Sequence, residues 1–453
     1  MNVRTNDGNV APAFSRRSSL ATTAVSAVNR LSRLLGRGSG TVAGGRVGLV
    51  IDPGLLAALA VGRRVALVTG TNGKTTTTRL LAAALVGPDG EAPVSNDTGS
   101  NMPAGHVAAL VGSPGVPLAV LEVDEGYLGR LVTEVAPTAV VLLNLSRDQL
   151  DRISEVRMLV DRWRLSLAGL SGPTERGGGT VVVANADDPM VVFAAAVAPE
   201  VHWVGAGQVW HLDAVGCPAC GGRIKFGADG AWACERCDFA RPEVVAEVDG
   251  SALVMADGTR LAIRIGLPGQ FNRSNAAMAA IAAATIMEAT NTVGLSDGVA
   301  IALGRLGGVS EVAGRFSTIM RGGREVRLLL AKNPAGWTAI FDLVDESGNP
   351  DAAVVLSVNA RTADGFDTSW LWDVPFERLA GHSVVVTGER RLDLAVRLRY
   401  AEVEHVVVDG PLAAIDRAVT MVANGSTGAT GSDRVAVEFL GNYTAFADMR
   451  RAL

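Results

Sequence analysis

Residues 65–68 form a short apolar run with a β-branched residue at each end, and the Gly/Thr-rich stretch 69–76 follows directly. From 75 to 85, Leu and Ala then recur at helical spacing, so the pattern predicts strand, loop and helix in that order. Further apolar runs at 118–123, 139–143 and 180–184 predict buried strands, separated by segments long enough for crossover helices. This is the rhythm of a parallel α/β sheet. Acidic residues and Asn follow the runs at the carboxyl ends, where such sheets place their sites.

The segment 205–242 breaks the rhythm, and a strong helix is expected over 274–288. After a Gly-rich joint near 304–314 the alternation restarts at 326–330, 353–358, 383–387, 405–408 and 435–440, enough for a second α/β domain. The expected division is therefore a lead-in with one helix at 1–45, an α/β domain at 46–305 carrying an insertion at 205–242, and a Rossmann-like α/β domain at 306–453. Residues 424–428, Asn-Gly-Ser-Thr-Gly, read as a loop.

A chain of 453 residues suits two or three domains, at about 100–200 residues each. Hydrophobic residues at 48%, charged residues at 19% and a net charge of -5 exclude a disordered chain or a polycation that coats nucleic acid. The apolar run 276–287 is shorter than the roughly 18 residues of a spanning helix, so no membrane span is expected. The first forty-odd residues are rich in Arg, Ser and Ala with Asp7 as their one acid, a composition shared by transit peptides and basic membrane-surface helices. The plainer reading is a frayed start leading into a helix around 20–35. Of 41 basic residues only Lys74, Lys225 and Lys332 are lysines, which favours positions that need a compact ammonium.

The loop Thr69-Gly70-Thr71-Asn72-Gly73-Lys74-Thr75-Thr76 lies between strand and helix, where backbone N–H groups and a helix N-terminus can wrap an anion. Lys74 would reach the β- and γ-phosphates of a nucleotide and Thr75 would hold Mg²⁺. The common G-x-x-x-x-G-K-[ST] pattern needs Gly at position 68, which is Val68 here, so the loop is the shortened G-x-x-G-K-T.

Cys217, Cys220, Cys234 and Cys237 form C-x₂-C-x₁₃-C-x₂-C, a zinc-ribbon spacing whose four thiolates suit tetrahedral Zn²⁺. A closed four-sulfur site leaves no open position, so the reading is structural, ahead of redox pairs or a nucleic-acid contact. These are the chain's four cysteines. A Cys-dependent glutaminase therefore has no nucleophile here, and ammonia taken from glutamine would have to be released on another polypeptide.

The loop wording resembles that of the Mur ligase family, and further matches follow in order. Leu121-Glu122-Val123-Asp124-Glu125 resembles the strand end whose Glu binds Mg²⁺, pointing to Glu122. Residues 144–151 resemble N-x-x-x-D-H-L-D, and 185–189 resemble N-x-D-D-P. Residues 269–276 resemble the adenine-contacting G-x-H-N-x-x-N-A, which carries over as Asn272 and Asn275, and Gly314-Arg315-Phe316 resembles the segment that sends Arg315 to the phosphates. Two positions depart: Gln149 stands for the family His, and Arg164 falls where most members keep a carbamylated Lys. A second Mg²⁺ site thus lacks both family ligands.

The Cys₄ insertion resembles the MurT branch of that family. The likeness implies a cytoplasmic ATP- and Mg²⁺-dependent ligase subunit with structural Zn²⁺, which activates the D-Glu α-carboxylate of lipid II, or a related cell-wall precursor, as an acyl phosphate. Ammonia from a GatD-type class I glutaminase, the other half of a heterodimer, would then give D-isoglutamine. Peripheral contact with the inner face of the plasma membrane would come through the lipid substrate. In the segment 358–373 the likeness points to Asp364, with Asp367 second, as the Asp that approaches the partner's His; an Asp-Gly turn with core tryptophans is the local alternative. Lys332, before Asn333-Pro334, is a candidate phosphate or acyl-phosphate contact. Two other readings stay open: a self-sufficient ligase that adds an amino acid, and a zinc-ribbon NTP-binding regulatory module. A pI of about 5.7 and the lack of a basic stripe weigh against nucleic acid.

Overall fold

The computed structural model describes all residues except 1–14, 36–40, 88, 97–99, 148–155, 173–178, 209, 228–229, 290–292, 310–315, 347–348, 350 and 426–434. Asp148, Gln149, Asp151, Arg315 and the 426–428 part of the expected loop lie outside the described residues.

The described residues open on three helices, α1 (Arg16–Leu34), α2 (Thr41–Ile51) and α3 (Leu55–Ala60). One helix was expected before residue 45; α2 is a second that starts before that boundary and crosses it. Its inner face is Gly44, Gly45 and Gly48. A methyl at Gly45 would lie 1.8 Å from the Ala104 carbonyl oxygen and one at Gly44 2.1 Å from Asn29 Oδ1, so only a bare backbone packs this closely.

Then follow β1 (Arg64–Thr69), α4 (Lys74–Ala84), β2 (Val94–Ser95), α5 (Pro103–Gly112), β3 (Leu118–Glu122), α6 (Leu128–Val135), β4 (Ala139–Leu142), α7 (Val156–Ala168), β5 (Val181–Asn185), α8 (Pro189–Ala195) and β6 (Val201–Gly205). These strands are parallel in the order β6-β5-β4-β1-β3-β2. β1, β3, β4 and β5 are buried on both faces, which is why they read as unbroken apolar runs. The chain leaves β1 toward β2 and β3 on one side and returns to β4 on the other. The carboxyl end of β1 is therefore a topological switch point, the place such sheets bind ligands.

A two-stranded hairpin, β7 (Ile224–Phe226) and β8 (Trp232–Cys234), carries the cysteines. Beyond it β9 (Ala246–Asp249), β10 (Ala252–Met255) and β11 (Arg260–Ala262) extend the main sheet to nine strands, β9–β10–β11 being antiparallel. α9 (Gln270–Glu288) starts one turn before the expected 274 and is buried almost all round, wedged between α4 and α10 (Leu295–Leu306).

The second unit comprises β12 (Phe316–Arg321), β13 (Arg324–Leu330), α11 (Pro334–Glu346), β14 (Ala353–Ser357), β15 (Val384–Thr387), α12 (Arg391–Tyr400), β16 (His405–Val407), α13 (Pro411–Gly425), β17 (Val437–Gly441) and α14 (Tyr443–Ala452). Its order is β12-β13-β17-β14-β15-β16, parallel apart from the antiparallel edge strand β12. Trp337, Phe341, Trp370 and Phe376 form its aromatic core. Arg327 and Glu438, opposite one another on β13 and β17, form a buried ion pair. Among the described residues no helix is long and apolar enough to cross a membrane.

Candidate nucleotide and metal sites

The loop after β1 is gripped from the neighbouring strand. Thr71 N donates to Asn144 O (2.9 Å) and Thr71 Oγ1 to Ser146 O (3.0 Å), while Ser146 N donates to Thr71 Oγ1 (3.0 Å). Asn144 closes a second pair with Asn72, accepting from its N (2.9 Å) and donating to its O (3.0 Å). Gly73 precedes α4 at φ 84, and a methyl there would lie 2.5 Å from Asn275 Oδ1. The expected loop residues 70–76 and Asn275 thus meet at one point.

Lys74 opens α4 nearly buried, its ammonium donating to Gly70 O (2.6 Å), Thr71 O (3.2 Å) and Glu125 Oε1 (3.0 Å). Burial pushes the Glu125 carboxyl up, opposed by the Lys74 charge. Glu125 lies three residues beyond Glu122 in the same acidic stretch, and only the fold shows that it faces Lys74. Thr75 is the second residue of α4. Glu122, in register with Val68 at the end of β1, is held by its backbone. Asn96 bonds both its N (2.8 Å) and its O (2.9 Å), and His106 Nε2 donates to that same O (2.7 Å). Desolvation lowers the His106 pKa to about 4, so the ring is neutral.

Beside this loop lies a cavity of about 210 Å³ between the two sheets. Asn72, Asn144, Asn185, Phe271, Asn272 and Asn275 line its first wall, and Phe316, Leu330, Gly336 and Asp342 its second. Asn272 and Asn275 are both buried on the first turns of α9, and Asn272 Nδ2 donates to Pro268 O (2.6 Å). Asn333 Nδ2 reaches across to Asn72 Oδ1 (3.2 Å), and its neighbour Lys332 is half-buried. Arg147 is a second bridge, its guanidinium bonding Asp213 (2.6 Å) on one side and Asp373 (3.0 Å) on the other. In the Asn-Ala-Asp-Asp-Pro turn, Asp188 accepts from Leu145 N (2.8 Å), Met190 N (2.9 Å) and Val191 N (3.2 Å). Burial raises its pKa to about 6.

Arg164 lies apart from the loop, stacked on the Phe193 ring at 4.4 Å and donating to the Phe193 carbonyl. Asp364 is buried. Its carboxylate accepts from Thr444 N (2.9 Å), from the Thr444 hydroxyl and from Arg361 N (3.3 Å), tying the loop to the start of α14. Asp367 is exposed and accepts from Ser369 N (2.8 Å), a bond that holds its carboxyl below the usual range.

The sulfurs of Cys217, Cys220, Cys234 and Cys237 all lie within 4.8 Å of one another. Cys217–Cys237 is 3.8 Å and Cys220–Cys234 is 3.5 Å. A tetrahedron with Zn–S bonds of about 2.3 Å has edges of about 3.8 Å, so the donor set fits zinc.

Residues 68–208 match the family model of the Mur ligase middle domain, and 330–446 match that of the MurT ligase C-terminal domain. The chain is 32% identical over 399 residues to the lipid II isoglutaminyl synthase (glutamine-hydrolyzing) subunit MurT of Streptococcus pneumoniae (strain ATCC BAA-255 / R6), covering 82% of this chain and 83% of that one. It is 31% identical over 402 residues to the protein of the same name from Staphylococcus aureus (strain COL), covering 84% and 87%. A pseudomurein peptide ligase type C from Methanothermus fervidus shares the fold, with a TM-score of 0.61 at 21% identity over 86% of this chain and 78% of that one.

Proposed function

We propose, from the premise that this chain belongs to the MurT family of Mur ligases, that it is the ATP-using subunit of a lipid II isoglutaminyl synthase. The observation that carries the reading is the Gly/Thr loop locked to Asn144 and Ser146, with Asn275 close against Gly73, at the mouth of an inter-sheet cavity, in a chain similar to MurT over more than four-fifths of its length.

In this reading the cavity holds adenosine, with Asn272 and Asn275 toward the base, and the loop from Gly70 to Thr76 wraps the phosphates. Thr75 and Glu122 would hold Mg²⁺, which supplies charge neutralisation on the phosphates. A carboxylate oxygen of the D-Glu residue attacks the γ-phosphorus, ADP leaves, and ammonia displaces phosphate from the acyl carbon to leave an amide. Lys74, paired with Glu125, and Lys332 would steady the transferring group, with Arg315 added by the family resemblance. Most of the rate gain is positioning and charge stabilisation.

The ammonia comes from a partner subunit of GatD type, since the four cysteines are grouped at one metal site. Phe366, Trp372, Leu392, Val396 and Tyr400 give the second unit an exposed apolar face, which suits that partner. Asp364, with Asp367 second, is the candidate to approach the partner's His; Asp367 is exposed, whereas Asp364 is bonded to Thr444. Zinc serves the ribbon as a structural ion.

The test is lipid II amidation by the purified chain with ATP, supplied with ammonium, with glutamine, or with glutamine plus the glutaminase. Product is expected from ammonium and from the pair. Turnover with glutamine alone, or with an amino-acid acceptor in place of ammonium, would overturn the reading.

A further inference from the structure

Between Asp7 and Asp52 the sequence holds six arginines and no acid, in a chain whose net charge is -5. Five of them, Arg16, Arg17, Arg30, Arg33 and Arg46, lie on α1 and α2. α1 is fixed by its inner face: Ser18, Ala21 and Val25 are buried, and Ser18 Oγ donates to Asp52 Oδ2 (2.7 Å). Val25 also meets the glycine face of α2.

The opposite face of α1 is covered by nothing among the described residues. Leu20 is 62% exposed, Leu31 56%, Leu34 75% and Leu35 60%. At 100° per residue Leu20, Leu31 and Leu34 fall within about 60° of one another, with Arg16 and Arg30 along the same stripe. α2 repeats the pattern, with Val42, Arg46, Val47 and Val50 on its outward side and Val50 80% exposed.

Large leucines pointing outward on an anchored helix, flanked by arginines, in an otherwise acidic protein, form an amphipathic surface of the interfacial kind. We propose that the outward faces of α1 and α2 dock this subunit on an anionic phospholipid bilayer. The leucines enter the acyl boundary and the arginines face lipid phosphates. The bilayer is chosen over a protein occupant by charge complementarity and, resting on the function proposed above, because the substrate is a lipid. The surface would hold the subunit at the plane in which that lipid moves, in place of reliance on the substrate alone for contact.

The experiment uses the full chain with its partner subunit and two sets of vesicles free of substrate, phosphatidylcholine alone and phosphatidylcholine with phosphatidylglycerol. Cosedimentation is expected only with the anionic set and is expected to fall at high salt. Arg16→Gln with Arg30→Gln should weaken it about fivefold per arginine, and Leu31→Ser with Leu34→Ser should weaken it about tenfold or more. Both variants alter exposed side chains and should keep full ammonium-dependent activity on a water-soluble, short-chain substrate while losing it on substrate embedded in anionic vesicles. Failure of the complex to bind, equal binding to both vesicle sets, or release of the partner subunit by the leucine variant would overturn the proposal. If neither substrate is amidated while vesicle binding still needs the arginines and leucines, the catalytic reading fails and the membrane surface stands.

Discussion

On the function proposed above, chelating a metal held by the four cysteines should be felt at the inter-sheet cavity. β7 and β8 have three residues each, and a lone two-stranded hairpin is marginal in water at best. With the sulfurs uncrosslinked, the ribbon is held to its neighbours by one small cluster, Val192, Ile224 and Trp232 with Trp203, Phe226 and Phe239 packed against them. Trp232 Nε1 donates to Ala186 O (2.9 Å), and Trp232 O accepts from Arg241 N (2.9 Å). The Arg241 guanidinium in turn holds Asp187 (2.6 Å), whose other oxygen accepts from Gly207 N (2.6 Å) in the cavity wall. Releasing the first neutral bond and loosening the charged one should cost the wall about 1–2 kcal/mol, which is about 5–30-fold in the KM for ATP. The rate at saturating ATP should change little. The measurement is ammonium-dependent turnover against ATP concentration before and after chelation, with metal content and proteolysis at 217–239 followed in parallel. An unchanged KM in protein shown to be metal-free would refute the connection, and an unchanged cleavage pattern would refute the metal's structural role.

Lys74→Met should lower ATP-dependent turnover by about 10²–10³-fold. Lys74→Arg should not restore it, because the ammonium sits among Gly70 O, Thr71 O and Glu125 with no room for a planar fork. Burial lowers the His106 pKa from 6.5 to about 4, so the unfolded chain binds a proton that the folded one refuses. That contribution to stability is complete above pH 6.5 and is lost as pH falls toward 4, by about 3 kcal/mol in all. Denaturant midpoints at about pH 7.5 and about pH 5 should differ less in His106→Gln than in the native chain. Glu438→Gln should cost about 3–5 kcal/mol by stranding Arg327, and Arg327→Met with Glu438→Leu much less; equal losses in denaturant unfolding would refute that account. Arg147→Gln should lower glutamine-dependent amidation several-fold more than ammonium-dependent amidation, since Asp373 belongs to the same short turn as the exposed Trp372. Asp373→Asn should match it and the double variant add nothing.

The strand–loop–helix at 64–84 was legible because everything that shapes it is local: a doubly buried strand, glycines at the turn and helix formers after it. α2 was hidden for the opposite reason. Three glycines in eleven residues argue against a helix by about 1 kcal/mol each, and only the approach of Asn29, Ala104 and Val25 explains them. β9 and β11 carry short, mixed sequences that make no apolar run, β10 is a run of four apolar residues buried only at alternate positions, and edge strand β12 alternates its exposure in the same way.

The same division runs through the site. Loop residues could be named from their spacing, but what positions them comes from far along the chain: Ser146 for Thr71, Asn275 beside Gly73, Asn96 for Glu122. Asp364 is placed by contacts that its spacing does not reveal: its two oxygens accept from Thr444, eighty residues on, while Asp367 lies at the surface. Contacts between units are the least legible, because neither Asn72 with Asn333 nor Arg147 with Asp373 has any spacing to betray it. Those two pairs meet at the loop itself: Asn72 is a loop residue, and Arg147 follows the Ser146 that grips Thr71. Any shift of the second unit against the first must therefore pull on the phosphate loop, and a partner docked beside Trp372 would act on the nucleotide through bonds already in place.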